Sequence, residues 1–365
     1  MKKVISISLA GALVISTIWW LNRGGDDRNA LVTVGIDGPI PDSMVFDPSE
    51  MNAADLYLEE TPDTRMTFRR MYYELKPEVS TSLFLEAMAD GVQFFITTQP
   101  STLAVESRHL FTNGSALLIN TSSTSPLLSG QDDYILRIIP DARSEQAVMA
   151  RLLNGLSARR VLILQDESNP RYTDPAYAFF TNALAALGDH EITHRKLRVD
   201  GFEPEAYRAL FEEPFDALYI LAGDFLVAIG SIAQFFHYHH AEAPILLTPW
   251  ARSPMILETM GDALERIVLP GHHPSRSENP AIGDYLTRFR QRFDYEPHSM
   301  ALFVRQAMEL LESAFAAGFK TPVAVKDYLL SKPLHTTSLG PVAFDAHGDI
   351  EGTLYIVHDL SGDLR

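Results

Sequence analysis

Two short apolar runs, each followed at once by hydroxyl side chains, constrain the fold of this chain more than any other feature. Residues 92–96 (VQFFI) and 116–119 (ALLI) have the length and apolar character of buried strands. Thr97 and Thr98 follow the first run, and the segment NTSSTS at 120–125 follows the second. Both predicted strands therefore deliver hydroxyl groups to their carboxyl ends.

The residues between these runs are predicted to form a helix. Pro100 suits the first position of a helix, and Asn113-Gly114 is a turn signal near the end of the segment. A strand, a helix and a second strand in this order form a parallel βαβ unit. Ligands bind at the carboxyl edge of such sheets, where free N–H groups at helix starts favour an anion. Helix capping is the alternative role of the hydroxyls, and both roles stay open at this point.

The alternation continues through the rest of the chain. Other apolar runs that predict strands lie at 31–36, 66–75, 161–164, 192–199, 217–221 and 245–247. A helix is predicted over 49–58, with Ser49 as its N-cap, and another over 175–187, after a loop that holds Tyr172. Strands that alternate with helices of this length predict an α/β protein with parallel sheets covered on both faces.

Two segments resemble a known protein family. The strand–TTQP–helix–strand–TSSTSPLL pattern of 92–128 and the segment LGPVAFDAHGDIEG of 339–352 are similar to motifs of the leucine/isoleucine/valine-binding proteins. These are type I periplasmic binding proteins of branched-chain amino-acid ABC transport, and the resemblance extends over residues 31 to 360. It implies an α/β fold of two doubly wound, Rossmann-like lobes joined by a three-crossing hinge.

The resemblance also implies domain boundaries. Residues 1–27 would form a signal sequence or membrane anchor plus linker, 28–139 and 271–338 the first lobe, and 140–270 and 339–365 the second.

The implied function is extracytoplasmic binding of a small polar solute in the cleft between the lobes. The solute would be an amino acid or another small carboxylate or amide, and the partner an ABC permease. The alternative is a membrane-tethered sensor that reads the solute through a signalling partner, without transport. No enzymatic activity is implied.

The resemblance assigns the pocket residue by residue. Hydroxyls of the first lobe hold the ligand carboxylate in the family, and the matching residues here are Thr97, Thr98, Ser122 and Thr124. Tyr172 falls where the family has a pocket tyrosine on the second lobe.

Two positions depart from the family pattern. Asp224 stands where an aromatic residue is common, and Trp250 stands where amino-acid binders have the acidic residue that pairs with the α-ammonium. A buried cation needs a partner, so either Asp224 replaces that carboxylate or the ligand lacks an ammonium. In the second case Trp250 offers a flat apolar wall. Both alternatives stay open.

Composition excludes several classes of function. The formal net charge of −17 disfavours nucleic-acid binding, because phosphate contacts need a basic face. The absence of cysteine excludes disulfides, thiol nucleophiles, cysteine-based zinc sites and a lipid-modified N-terminal cysteine.

The N-terminal segment predicts export. An apolar run over 4–21 follows Lys2-Lys3 and contains Trp19-Trp20 near its end. No small-residue cleavage site follows the run, and a run of this length just spans a bilayer. The pattern favours an uncleaved inner-membrane anchor over a cleaved signal peptide, and either places the remainder in the periplasm or outside the cell.

The histidines give a weaker signal. His237, His239 and His240, with His272-His273, allow a metal site, but a surface or helix-end cluster is the favoured interpretation. The sequence contains no G-x-S-x-G elbow, no Walker loop and no G-x-G-x-x-G after a strand. We therefore predict no catalytic residue, no metal and no cofactor.

Overall fold

The computed structural model describes residues 30–40, 48–223, 227–350, 354–357 and 360–364. The predicted anchor at 4–21 lies outside these residues. Within them, no helix combines the length and the apolar character needed to cross a membrane.

The first of two large sheets is parallel, with the strand order β2-β1-β3-β4-β5. Its strands are β1 (Val32–Pro39), β2 (Met66–Tyr73), β3 (Phe94–Thr97), β4 (Leu117–Asn120) and β5 (Ile135–Arg137). Every residue of β3 and β4 is buried, because helices cover both faces of a parallel sheet. The register pairs Thr97 with Asn120, so the hydroxyl clusters after β3 and β4 share one edge of the sheet.

The second large sheet repeats this arrangement, with the strand order β10-β9-β8-β6-β7. Its strands are β6 (Arg160–Asp166), β7 (Glu191–Leu197), β8 (Ala217–Leu221), β9 (Ile245–Leu247) and β10 (Ile267–Val268). All neighbouring pairs are again parallel.

Helices cover the two sheets. Those of the first lobe are α1 (Ser49–Glu60), α2 (Pro77–Ala89), α3 (Ser101–Ser107), α9 (Pro280–Phe293), α10 (Met300–Ala316) and α11 (Pro322–Leu330). Those of the second lobe are α4 (Ala142–Gly155), α5 (Pro170–Ala185), α6 (Pro204–Phe211), α7 (Val227–His239) and α8 (Met255–Thr259). The first lobe is therefore built from two separate parts of the chain. Helices α9, α10 and α11 return to it after the second lobe, and α10 packs on α1.

One face of the first sheet carries an aromatic cluster. The rings of Phe84, Phe95 and Phe111 meet edge to face, with centroids 5.3 to 5.8 Å apart. All three side chains are fully buried. This packing anchors α2 on the sheet and so fixes the strand ends that carry the site.

The chain passes between the lobes three times, after β5, after β11 (Pro270–Gly271) and before β14 (Tyr355–Ile356). β11 and β14 pair antiparallel, which ties the second and third passages together. Beside them, the buried Arg252 forms an ion pair of 2.7 Å with Asp363 of the last helix, α12 (Leu360–Leu364). The fold of two doubly wound lobes with a three-crossing hinge is therefore confirmed.

Predicted helix starts are wrong by one residue in α1 and α3. Pro48 is the N-cap of α1, so Ser49, the predicted cap, is its first helical residue. The Ser49 hydroxyl lies 3.4 Å from the Tyr295 hydroxyl instead of capping the helix. Pro100 is the N-cap of α3 rather than its first residue.

The predicted loop that holds Tyr172 is helical. α5 begins at Pro170, five residues before the predicted start, and continues through Pro175. Pro170 fits a helix start because its missing N–H would have no partner there. The helix tolerates Pro175 because Ala176, Phe180 and Leu184 bury one face of it.

The segment after β12 (His335–Thr337) and β13 (Gly340–Val342) forms a hairpin against the first sheet. The Gly348 carbonyl accepts a hydrogen bond of 2.8 Å from the Arg137 backbone N–H. The buried Arg137 side chain forms an ion pair of 2.6 Å with Asp349. The predicted boundaries place this hairpin in the second lobe, whereas these contacts are with β5 of the first.

We predict that Gly348→Ala lowers the free energy of unfolding by about 2–5 kcal/mol. Gly348 has a φ of +90°, and an added Cβ would lie 2.4 Å from Leu136 Cδ2. Gly130→Ala is the matched control, because Gly130 has a φ of +64° but no atom within 4 Å of an added Cβ. Urea denaturation should show a loss of about 1–2 kcal/mol for the control. Equal losses in the two variants would contradict the close approach of Leu136.

Candidate functional site

A cleft of about 520 Å³ lies between the two lobes. The first lobe lines it with residues at or after the carboxyl ends of β1, β2, β3 and β4, together with Glu50, His298 and Met300. The second lobe lines it with residues at or after the ends of β6, β7, β8 and β9, together with residues at the start of α5. The cleft therefore occupies the edge where open α/β sheets bind their ligands.

The structure brings most of the predicted site residues to this cleft. Thr98, Ser122, Thr124, Tyr172 and Trp250 all line it. Thr97 is fully buried behind the lining, and Asp224 lies outside the described residues.

Asp37, at the end of β1, organises the rim of the first lobe. Its carboxylate accepts hydrogen bonds from the Thr97 hydroxyl at 2.7 Å, from the Thr98 backbone N–H at 2.7 Å and from Gln99 Nε2 at 2.9 Å. Complete burial raises the pKa of Asp37 from 3.8 to about 7, although these hydrogen bonds act in the opposite direction. The Thr97 hydroxyl is thus used to hold Asp37 rather than to face the cleft.

The hydroxyls that line the cleft differ in what they can offer a ligand. Thr98 donates to the Asp37 carbonyl at 3.1 Å, and Ser122 donates to the Gln99 carbonyl at 2.7 Å. Thr124 is 1% exposed, and its Oγ1 has no hydrogen-bond partner among the described residues. A buried hydroxyl without a partner costs free energy, so Thr124 is the donor best placed to hold a ligand oxygen.

Ser101, at the start of α3, is a further hydroxyl of the lining. Its Oγ accepts a hydrogen bond of 3.0 Å from the Ser123 hydroxyl. A hydroxyl that accepts one bond still has a proton to donate. Thr124 and Ser101 together give the first lobe two donors suited to a carboxylate.

Aromatic side chains form the wall on the second lobe. The rings of Tyr172 and Trp250 meet edge to face with centroids 6.4 Å apart, and Trp250 also packs on His272 at 4.8 Å. The Tyr172 hydroxyl donates to the buried carboxylate of Glu145. Burial raises the pKa of Tyr172 well above its usual value, so this hydroxyl stays protonated. The wall therefore presents flat apolar surface to a ligand.

The two lobes touch at the mouth of the cleft. Asn169 Oδ1 on the second lobe accepts hydrogen bonds from the Thr102 hydroxyl at 3.0 Å and the Thr102 backbone N–H at 3.2 Å. Arg171 and Glu106 form an exposed ion pair of 3.0 Å beside this contact. The two lobes are therefore in direct contact beside the cleft.

No protein-family model and no curated protein sequence matches the chain. Solved structures do match it, at sequence identities too low to carry more than the fold. A leucine binding protein, LivK, from Thermotoga maritima superposes with a TM-score of 0.79 and 18% identity, covering 92% of this chain and 98% of that one. The chain has the type I periplasmic binding protein fold.

Two other structures share this fold. A solute binding protein of an ABC transporter from Rhodopseudomonas palustris, in complex with 3,4-dihydroxybenzoic acid, has a TM-score of 0.76 and 18% identity over 92% of this chain and 95% of that one. The branched-chain amino acid transporter substrate binding protein LivJ from Streptococcus pneumoniae, in complex with isoleucine, has a TM-score of 0.74 and 15% identity over 90% and 99%.

The sequence prediction missed the charged residues of the cleft lining, among them Glu50 and His298. Glu50 lies in the first turn of α1 and His298 lies just before α10, and both are about 4% exposed. Glu50 shares a helix face with Ala53, Ala54 and Tyr57, which are all buried. An acidic residue in phase with an apolar stripe was therefore the signal that could have revealed it.

The described residues contain no group of three or more His, Asp or Glu side chains able to hold a metal ion. His237 and His239 lie on α7, whereas His272 lies against Glu145, with Nε2 3.1 Å from Oε2. These histidines therefore do not converge on one point.

We predict that Asp37 makes the ligand-free protein less stable as the pH rises from about 4 to about 7. The unfolded chain releases the Asp37 proton near 3.8, whereas the folded protein keeps it until about 7. The unfolded state then binds fewer protons, and stability falls by on the order of 4 kcal/mol across this window. Above the folded pKa the contribution stays constant.

Urea denaturation of the wild type and of Asp37→Asn between pH 4 and pH 8 measures this effect. The difference in unfolding free energy between the two proteins should change across the window and then level off. A carboxyl ¹³C signal of Asp37 that titrates near pH 4 would contradict the raised pKa, as would a difference that does not depend on pH.

Proposed function

We propose that this protein binds a small polar solute that carries a carboxylate, and that it does so reversibly in the cleft between its lobes. The unpartnered Thr124 hydroxyl, buried and facing a cleft of about 520 Å³, is the observation that carries the proposal. This volume suits a molecule of amino-acid or aromatic-acid size. Proteins of the same fold bind isoleucine and 3,4-dihydroxybenzoic acid.

The two lobes supply different groups to the ligand. The first lobe supplies hydroxyl donors, from Thr124 and Ser101, to a ligand oxygen. The second lobe supplies the rings of Tyr172 and Trp250, which cover the apolar part of the ligand. A ligand that touches both lobes favours the closed arrangement over the open one. The solute is bound and released without a chemical change.

We further propose that the protein is the substrate-binding component of an ABC transporter outside the cytoplasm. Two of the structures with the same fold are named as transporter binding proteins. Closure of the lobes around a solute gives a permease a shape to recognise.

A thermal-shift screen over amino acids, short carboxylates, amides and aromatic acids tests the proposed binding. A ligand that binds the folded state alone raises the melting temperature in proportion to its affinity and concentration. The ligand recovered from the complex should be chemically unchanged. A screen in which none of these solutes raises the melting temperature would contradict the proposal.

We predict that Thr124→Val weakens binding of the solute found in this screen by about 10- to 100-fold. Valine keeps the shape of threonine and removes the hydroxyl, and a hydrogen bond to a charged group is worth about 1.5–3 kcal/mol. The melting temperature of the ligand-free variant should not fall, because Thr124 Oγ1 has no partner to lose. Thr112→Val, an exposed threonine of the same lobe, is the control. An unchanged dissociation constant would refute the assignment of Thr124.

We predict that Thr102→Val makes the solute leave faster. The substitution removes the hydrogen bond of 3.0 Å between the Thr102 hydroxyl and Asn169 Oδ1, and Thr102 is not part of the cleft lining. The loss of about 0.5–1.5 kcal/mol from the closed form should raise the dissociation rate constant by about 2- to 13-fold. Stopped-flow measurements should show little change in the association rate constant. A slower association with unchanged dissociation would argue against a role in closure.

A further inference from the structure

Glu50 is a buried carboxylate with an unsatisfied oxygen in the cleft. It lies in the first turn of α1 and is 4% exposed. Its Oε2 has no hydrogen-bond partner among the described residues, although it lines the cleft. Burial of a carboxylate oxygen is unfavourable unless a donor or a cation meets it.

His298 stands next to Glu50 and defines one side of this position. Its Nδ1 accepts a hydrogen bond of 3.1 Å from the Met300 backbone N–H, so Nε2 carries the proton of the neutral ring. Nε2 lies 3.6 Å from Glu50 Oε2, which is an ion-pair distance when His298 is protonated but too far for a hydrogen bond. His298 and Met300 line the same cleft as Glu50, and neither donates a hydrogen bond to this carboxylate oxygen.

The other lining carboxylates have partners. Glu74 forms an ion pair of 2.6 Å with Lys76, and Asp200 forms one of 2.7 Å with Arg198. Asp166 accepts hydrogen bonds from the Val199 backbone N–H, at 3.0 Å, and from the Ser168 hydroxyl. Among the acidic residues of the described lining, Glu50 is therefore the one with a buried carboxylate oxygen that accepts no hydrogen bond.

The net charge of the lining also favours a positively charged group on the solute. The described lining contains the acidic residues Glu50, Glu74, Asp166 and Asp200 and the basic residues Lys76 and Arg198. The two ion pairs neutralise both basic residues, which leaves an excess of negative charge in the cleft. A solute with a carboxylate alone would add to this excess. A solute that also carries a cation would offset it.

We propose that Glu50 binds a protonated nitrogen of the solute, which makes the ligand a small zwitterion. The inference rests on the proposed function and adds the charge of the ligand to it. Glu50 then takes the place of the acidic residue that Trp250 replaces. Both charged groups of the ligand are held by the first lobe, the carboxylate by Thr124 and the cation by Glu50. The second lobe closes over the apolar part through Tyr172 and Trp250.

Calorimetric titration of the full chain with matched pairs of solutes tests the inference. The pairs are L-leucine with 4-methylpentanoate and L-phenylalanine with 3-phenylpropanoate, which differ only in the ammonium group. We expect at least one of the two amino acids to bind, and its partner acid to bind about 10- to 100-fold more weakly, as for the loss of a hydrogen bond to a charged group. Partner acids that bind as tightly as the amino acids would overturn the inference.

Glu50→Gln separates the role of Glu50 from that of other acidic residues. The variant should bind the amino acid about 10- to 100-fold more weakly and the partner acid no more weakly than the wild type does. Glu59→Gln is the matched control, because Glu59 lies on the same helix as Glu50 but outside the cleft lining, where it pairs with Arg292. The affinity of this variant should stay within about twofold of the wild type. Equal losses in the two variants, or none in either, would overturn the assignment of Glu50.

The outcomes also distinguish this inference from the proposed function. The ligand-free Glu50→Gln variant should be as stable as the wild type, and if it does not fold, the comparison of solute pairs on the wild type still decides. Binding of aromatic or aliphatic acids without binding of any zwitterion would overturn the inference and leave the proposed function intact. Failure of every solute in the panel and the screen would overturn both.

Discussion

The carboxylate of Asp37 is the interaction on which the first lobe's rim depends. It lies near the end of β1, between β2 and β3, and receives hydrogen bonds from three consecutive residues at the end of β3, namely Thr97, Thr98 and Gln99. Gln99 in turn accepts hydrogen bonds from Ser80 through its side chain, at 2.5 Å, and from Ser122 through its carbonyl. One buried acid thus fixes the loops after β3 and β4 relative to the sheet. Thr124 and Ser101 can then face the cleft with their hydroxyls uncommitted.

The hydroxyls of the rim fall into two groups, those that hold the rim together and those that remain available to a ligand. Thr97, Thr98 and Ser122 donate their hydroxyl protons to oxygens of the protein and so fix the shape of the rim. Thr124 and Glu50 are buried at the same cleft and keep a polar atom without a partner. A preformed site of this kind orders few groups when the ligand binds, which preserves affinity. In the proposed function, the solute supplies the partners that these two polar atoms lack.

The sequence was sufficient to predict the fold class, because the apolar runs of β3, β4, β8 and β9 are short, continuous and regularly followed by turn or hydroxyl residues. It was also sufficient to place Thr98, Ser122 and Thr124 at one edge, since the carboxyl ends of parallel neighbours must coincide. The direction of each hydroxyl could not be predicted. Whether Thr97 faces Asp37 or the cleft depends on a contact between residues 60 positions apart.

The position of Glu50 could not be predicted for a related reason. Its role depends on α10, which returns to the first lobe late in the chain and brings His298 beside it. Local patterns describe one helix at a time, so they report an amphipathic face but not the cavity that this face borders. The predicted start of α5 was wrong for a similar reason. Burial of Phe180 and Leu184 outweighed the tendency of Pro175 to interrupt a helix.

The contact between Thr102 and Asn169 bears on how the empty and filled forms of the protein would differ. Thr102 and Asn169 are half-buried, and two hydrogen bonds between neutral groups stabilise the contact of the lobes by only about 1–3 kcal/mol in total. If the protein binds its solute by closure, some empty molecules would therefore have the shape of filled ones. Any membrane protein that reads shape alone would respond weakly to the empty form, and that background sets the lowest solute concentration it can detect.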